Sequence, residues 1–143
     1  MSNVAQETAA RCAEQLYEND AASKSLGICV ESIGPGTSRL TMLVRPDMLN
    51  GYESCHGGFI FSLADSAFAF ACNAYDQITV AQGCNIEFLS PGRLGDLLIA
   101  DAREKSRGRT TGLYEVEVSR EDGKKIALFW GKSFSTGQKL LPE

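Results

Sequence analysis

Apolar residues run almost without a break through residues 58–74, GFIFSLADSAFAFACNA, a stretch with no proline and no glycine after its first position. Its Phe, Ile, Leu and Ala content predicts one long helix. A helix apolar on nearly every side is expected to be buried on nearly every side. The exceptions are Ser62, Asp65, Ser66 and Asn73, which helical spacing gathers into one narrow polar stripe, and Asp65 is its single charge.

The rest of the chain alternates. Residues 6–17 place Ala9, Cys12, Ala13, Leu16 and Tyr17 at helical spacing and stop at Asn19-Asp20, which predicts an amphipathic helix packed outside the core. Residues 26–33 and 39–44 each carry apolar side chains at every second position around Gly34-Pro35-Gly36, the pattern of a hairpin. Four further strands are predicted over residues 79–89, 96–104, 110–120 and 125–134. They are separated by Ser90-Pro91-Gly92, Ser106-Arg107-Gly108 and Asp122-Gly123. A short helix, two strands, a long buried helix and four strands suit an α+β fold in which a curved antiparallel sheet wraps one helix.

At 143 residues the chain has the size of one domain with one substantial core. Charged residues make up 22% and the net charge is −4, with no basic cluster, so no nucleic-acid surface is expected. The N-terminus lacks a signal-peptide pattern and no apolar run spans a bilayer, so a cytoplasmic protein with no membrane association is expected. Cys12, Cys29, Cys55, Cys72 and Cys84 are odd in number and form no C-x-x-C pair. With a single histidine, His56, they imply reduced thiols and no metal site.

Asp65 then needs an explanation, because a carboxylate on a buried helix is costly unless paired, hydrogen-bonded or open to a ligand. A structural acid bonded within the chain is one reading. A general base or nucleophile with a raised pKa is the other. Gly57 and Gly58 supply a matching half, since their bare N–H groups lie at the positive end of the helix dipole and suit the oxygen of a carbonyl under attack. Eight residues separate Gly57 from Asp65, about 12 Å along a helix, too far to serve one carbonyl. Two helices antiparallel across a two-fold axis would bring the acid of each near the glycine of the other, so a homodimer with shared sites is expected.

The segment HGGFIFSLADSAFAFACN, preceded by LNGYESC and followed by NIEFLSPGRLGD, resembles the hotdog-fold thioesterases, and among them the PaaI group, acyl-CoA thioesterases of phenylacetic acid degradation. The likeness runs from LYEND at residues 16–20 to ALFWGKS at residues 127–133. It implies a hotdog domain spanning the chain and hydrolysis of an aryl-acetyl CoA. It gives Asp65 the role of base or nucleophile, Gly57 that of carbonyl donor from the other subunit, and Asn50 that of orienting water or carbonyl. His56 would shape the same corner, or simply fix the loop through a backbone bond. The resemblance also places coenzyme A along residues 88–93 and 106–111, with Phe88, Arg93, Arg107, Arg109, Thr110 and Thr111 among the substrate-binding residues, and Gly58 as a further one. A solvated turn is the alternative for the arginines. Phe59, Phe61, Phe68 and Phe70 are candidates for the acyl pocket or for plain core. Members of the family often carry a small hydroxyl residue near positions 81–82 to hold the water; here Thr79 or Gln82 would have to substitute. No cofactor is implied, coenzyme A being part of the substrate, and relatives commonly pair as dimers of dimers.

Three rivals stand beside this reading. A hotdog hydratase or dehydratase relies on a catalytic histidine, whereas His56 precedes the helix. A Cys-His hydrolase would need Cys55 or Cys72 beside His56 and a third orienting group. A non-catalytic acyl-CoA-binding module would have no use for a buried acid.

Overall fold

The computed structural model describes residues 3–142. In chain order they form α1 (Asn3–Glu18), α2 (Ala21–Ser25), β1 (Cys29–Gly34), β2 (Thr37–Leu43), a 3₁₀ turn (Pro46–Met48), α3 (Gly57–Cys72), β3 (Thr79–Phe88), β4 (Leu97–Arg107), β5 (Thr111–Arg120) and β6 (Lys125–Ser135). The strands make one wholly antiparallel, curved sheet in the order β1-β2-β4-β5-β6-β3. Alternate residues of β2, β4 and β5, among them Leu40, Leu98 and Val116, face α3 and are fully buried with Leu63, Ala64 and Ala67. Gly131 on β6 makes room for the helix: a Cβ there would stand 2.8 Å from the Phe68 ring.

The start of α3 follows from its neighbours. His56 Nδ1 accepts the Gly58 N–H at 3.0 Å, a side-chain cap on an otherwise orphaned donor. Its end follows from Asn73, whose amide is buried against the Ala69 carbonyl and both backbone groups of Thr79. Asn73 therefore leaves the polar stripe. Ser62 bonds back to the Gly58 carbonyl and Ser66 meets the Ser23 hydroxyl. The expectation of a helix buried all round does not hold within one chain, since a strip through Gly58, Ser62, Asp65 and Ala69 stays open or half-open.

Other expectations shift at element ends. The first helix is longer than residues 6–17, and its Ala13 joins the core instead of lying outside it. Asp20 caps a short helix that the alternation concealed, accepting the Ser23 N–H at 2.9 Å. Leu26 closes that helix and Gly27 turns with φ 70°, so β1 begins only at Cys29. The break placed at Ser106-Arg107-Gly108 is shorter than expected, because Ser106 and Arg107 still belong to β4.

One edge of the sheet, β3, pairs only with β6. Val80, Phe88 and most of its other residues are exposed, and Cys84 and Ile86 are half-buried toward the helix side.

Candidate active site

The loop before α3 is built tightly. Asn50 Oδ1 accepts from the Tyr52 N–H at 2.9 Å, the Ser54 N–H at 3.2 Å and the Ser54 hydroxyl at 3.3 Å. Cys55 donates its N–H to Gly92 and His56 donates to Met48, each at 2.7 Å. These bonds aim the first turn of α3 into a cleft of about 400 Å³ lined by Asn50, Gly57, Ile60, Phe88 and residues 89–91. Among the described residues the Gly57 N–H has no acceptor. The Phe88 ring lies over Gly57, and a Cβ at that position would come within 3.1 Å of it, so only glycine fits without a shift. An unspent donor at a helix N-terminus, walled by an aromatic ring, is a place to polarise a carbonyl oxygen.

Asp65 lies two turns along, half-buried on the open strip. Among the described residues it makes no hydrogen bond or ion pair, and burial alone raises its pKa. Phe61 and Phe68, one turn before and one turn after Asp65, both pack on Phe129 of β6, so the acid lies toward the β6–β3 side of the helix, near enough for the Cys84 thiol on β3 to feel its charge. A carboxylate that is desolvated, unpaired and still reachable is equipped to take a proton or to attack an electrophile.

The other expected residues divide by position. Asn50, Gly57 and Phe88 line the cleft, with His56, Gly58 and Phe59 beside them. The Asn50 side-chain oxygen is committed to its own loop. His56 Nδ1 accepts the Gly58 N–H, and its ring packs edge-on to Phe59. Arg93 is exposed in the turn leading into β4, its backbone N–H donated to Asp96. Arg107, Arg109, Thr110 and Thr111 lie at the far end of β4, about 33 Å away along the strand. One chain therefore does not bring the two arginine groups together. Gln82 is exposed at the bulge between Ala81 and Gly83 on the free edge. The Thr79 hydroxyl is already bonded to Gln77 and Ser135. Phe68 is drawn into the interior, stacked among Tyr114 and Phe129, away from the cleft. Residues 89–91 belong to the 88–93 stretch expected along coenzyme A, whereas Ile60 was not anticipated as lining, although one helical turn past Gly57 it was findable by spacing.

The thiols are poorly suited to a Cys-His pair. Burial pushes Cys55 up to about 11 and Cys72 up to about 12, and His56 Nδ1 is occupied by the cap. Among the described residues no three His, Cys, Asp or Glu side chains are grouped to hold a metal, and no helix is long and apolar enough to cross a membrane.

Comparison with known proteins gives the family. The thioesterase superfamily model matches residues 52–127, which contain both Gly57 and Asp65. The acyl-coenzyme A thioesterase PaaI of Escherichia coli is 47% identical over 131 residues, covering 92% of this chain and 94% of the relative. The crystal structure of the E. coli PaaI protein, from the phenylacetic acid degradation operon, superposes with a TM-score of 0.92 at 46% identity, covering 94% of this chain and 97% of that one. A Streptococcus mutans protein bound to acetyl-CoA superposes with a TM-score of 0.75 at 30% identity, covering 78% of this chain and 90% of that one. The sheet wrapped on one helix is thus a hotdog fold, and the chain belongs to the thioesterase superfamily.

Proposed function

We propose that this thioesterase hydrolyses an aryl-acetyl coenzyme A, of the phenylacetyl or hydroxyphenylacetyl type, to the free acid and coenzyme A at sites shared by two copies of the chain. The observation that carries the reading is Asp65, a half-buried acid with no partner among the described residues, on the side of its helix that faces the free β3 edge. An open edge strand with exposed apolar side chains is a surface that proteins cover. Pairing of β3 with its copy about a two-fold axis would continue the sheet and lay the two α3 helices antiparallel. The acid of one subunit would then approach the first turn of the other, and the Arg107 end of one chain would lie on the same side of the continuous sheet as the Arg93 end of its partner.

In such a site the thioester carbonyl accepts the Gly57 N–H of one subunit, where the helix dipole favours the developing oxyanion. Asp65 of the other subunit takes a proton from an attacking water, or attacks directly to give an anhydride that water cleaves; coenzyme A leaves as the thiol. No cofactor enters either route. The Phe88 ring in the cleft, together with the phenylacetic acid degradation operon of the E. coli relative, supports an aryl-acetyl acyl group. The test is thiol release from a panel of aromatic and straight-chain acyl-CoAs ranked by kcat/KM. Phenylacetyl or hydroxyphenylacetyl esters are expected at the top. Faster turnover of straight-chain esters would contradict the acyl assignment, and binding without thiol release would favour a non-catalytic module.

A further inference from the structure

The C-terminal end of α3 carries a second polar arrangement, remote from the Gly57 cleft. Glu104 Oε1 accepts hydrogen bonds from two phenols, Tyr75 at 2.7 Å and Tyr114 at 3.0 Å. Tyr114 is buried in the core, so the carboxylate is anchored from the sheet and in turn tethers Tyr75, which follows the helix. Burial first, and then the neighbouring carboxylate, push the Tyr75 phenol up to about 12, so it remains a donor. Gly36, with φ 71°, closes over the pair; a Cβ there would stand 2.8 Å from both Glu104 Oε1 and the Tyr75 hydroxyl. The Tyr75 ring thus fixed lies 3.6 Å from the Arg107 guanidinium.

Arg107 reaches that ring because of a bulge. Glu104 pairs with Tyr114 and Arg107 pairs with Gly112, two β5 positions on the core side of the sheet, while Ser106 pairs with exposed Leu113. Strict alternation from Glu104 would send Arg107 to the opposite face. The register shift between Glu104 and Ser106 reverses the parity and turns Arg107 back toward Tyr75. Stacking occupies the flat face of the guanidinium and leaves its in-plane N–H donors unspent. Among the described residues neither Arg107 nor Arg109 has an ion pair.

On a chain of net charge −4, such preoriented cationic donors are a place for phosphate oxygens. We infer that Tyr75, tethered by Glu104, is a positioning residue that orients Arg107 for a phosphate in the nucleotide portion of the substrate. This inference rests on the coenzyme A reading above.

The experiment compares steady-state kinetics on phenylacetyl-CoA with those on phenylacetyl-pantetheine, the same thioester without its nucleotide. Arg107→Ala and Tyr75→Leu are each expected to raise KM for the CoA ester about tenfold, with kcat and both constants for the pantetheine ester unchanged. Tyr75→Phe keeps the ring and loses the tether, so a rise of about threefold is expected. The double variant Tyr75→Leu with Arg107→Ala should be no worse than Arg107→Ala alone. Should Arg107→Ala leave both esters unaffected, the nucleotide does not bind at this end, and the coenzyme A placement fails along with the inference. Should Arg107→Ala raise KM while Tyr75→Leu matches the native enzyme, the positioning role alone is overturned. Equal effects of Tyr75→Leu on both esters would reduce it to a structural residue. If Tyr75→Leu does not fold, Tyr75→Phe decides, and an unchanged KM for the CoA ester overturns the tether.

Discussion

Asp65 stands where burial raises the cost of its charge and, among the described residues, no cation offsets it. Its pKa is higher in the folded protein than in the unfolded chain, so native Asp65 holds its proton to higher pH than the unfolded one does. Whatever stability this lends is present below the unfolded value and is lost as pH rises through the folded value. Asp65→Asn should therefore be at least as stable as the native protein at neutral pH, with the difference fading below the ordinary aspartate range; thermal unfolding across pH measures it. The same substitution should lower turnover by about 100-fold or more, because the base or nucleophile is gone while the fold is kept. In the native enzyme kcat should fall on the acid side through a pKa above that of a free aspartate. A rate flat down to the ordinary aspartate range would argue against a chemical role for the acid. Asp65 and Gly57 were legible in the sequence because a lone charge in an apolar helix and a glycine pair at its start each have few cheap explanations. Tyr75 and Glu104 were not, since a tyrosine after a helix and a glutamate in a strand are ordinary on their own and acquire meaning only from their 2.7 Å contact.

The elements owe their limits to side chains that the apolar pattern does not single out. His56 closes the first turn of α3, and His56→Ala should cost about 1 kcal/mol in denaturant unfolding, the usual worth of an N-terminal cap. Gly131 gives Phe68 its place against β6, and Gly131→Ala should cost about 1–3 kcal/mol through forced repacking of that ring. The long helix and the six strands were readable because a 3.6-residue and a 2-residue period are both strong over these lengths. What hid were features of single residues. Asp20 starts α2 by one side-chain bond, Asn73 ends α3 by several, and the bulge in β4 inverts the facing of Arg107 without leaving any mark in the alternation.

At the scale of the whole molecule, each chain holds parts that do not meet within it. Gly57 and Asp65 are separated along one helix, the two arginine groups lie at opposite ends of β4, and β3 is left with a free edge. A two-fold pairing along β3 would cover the free edge and bring the acid of one copy toward the glycine of the other, whereas a monomer would leave the acid without an electrophile. Gly57→Pro removes the carbonyl donor at the first helical position, where proline is favoured, and the extended conformation of His56 before it is compatible with that change, although the Phe88 ring, 3.1 Å from a Cβ there, has to shift. The most direct measurement is complementation of Asp65→Asn with Gly57→Pro, each inactive alone, mixed so that subunits exchange at random. Half of the dimers would then be hybrids with one intact site in two, so about one quarter of native activity is expected to return. Verified hybrid dimers that remain inactive would contradict a site shared between subunits.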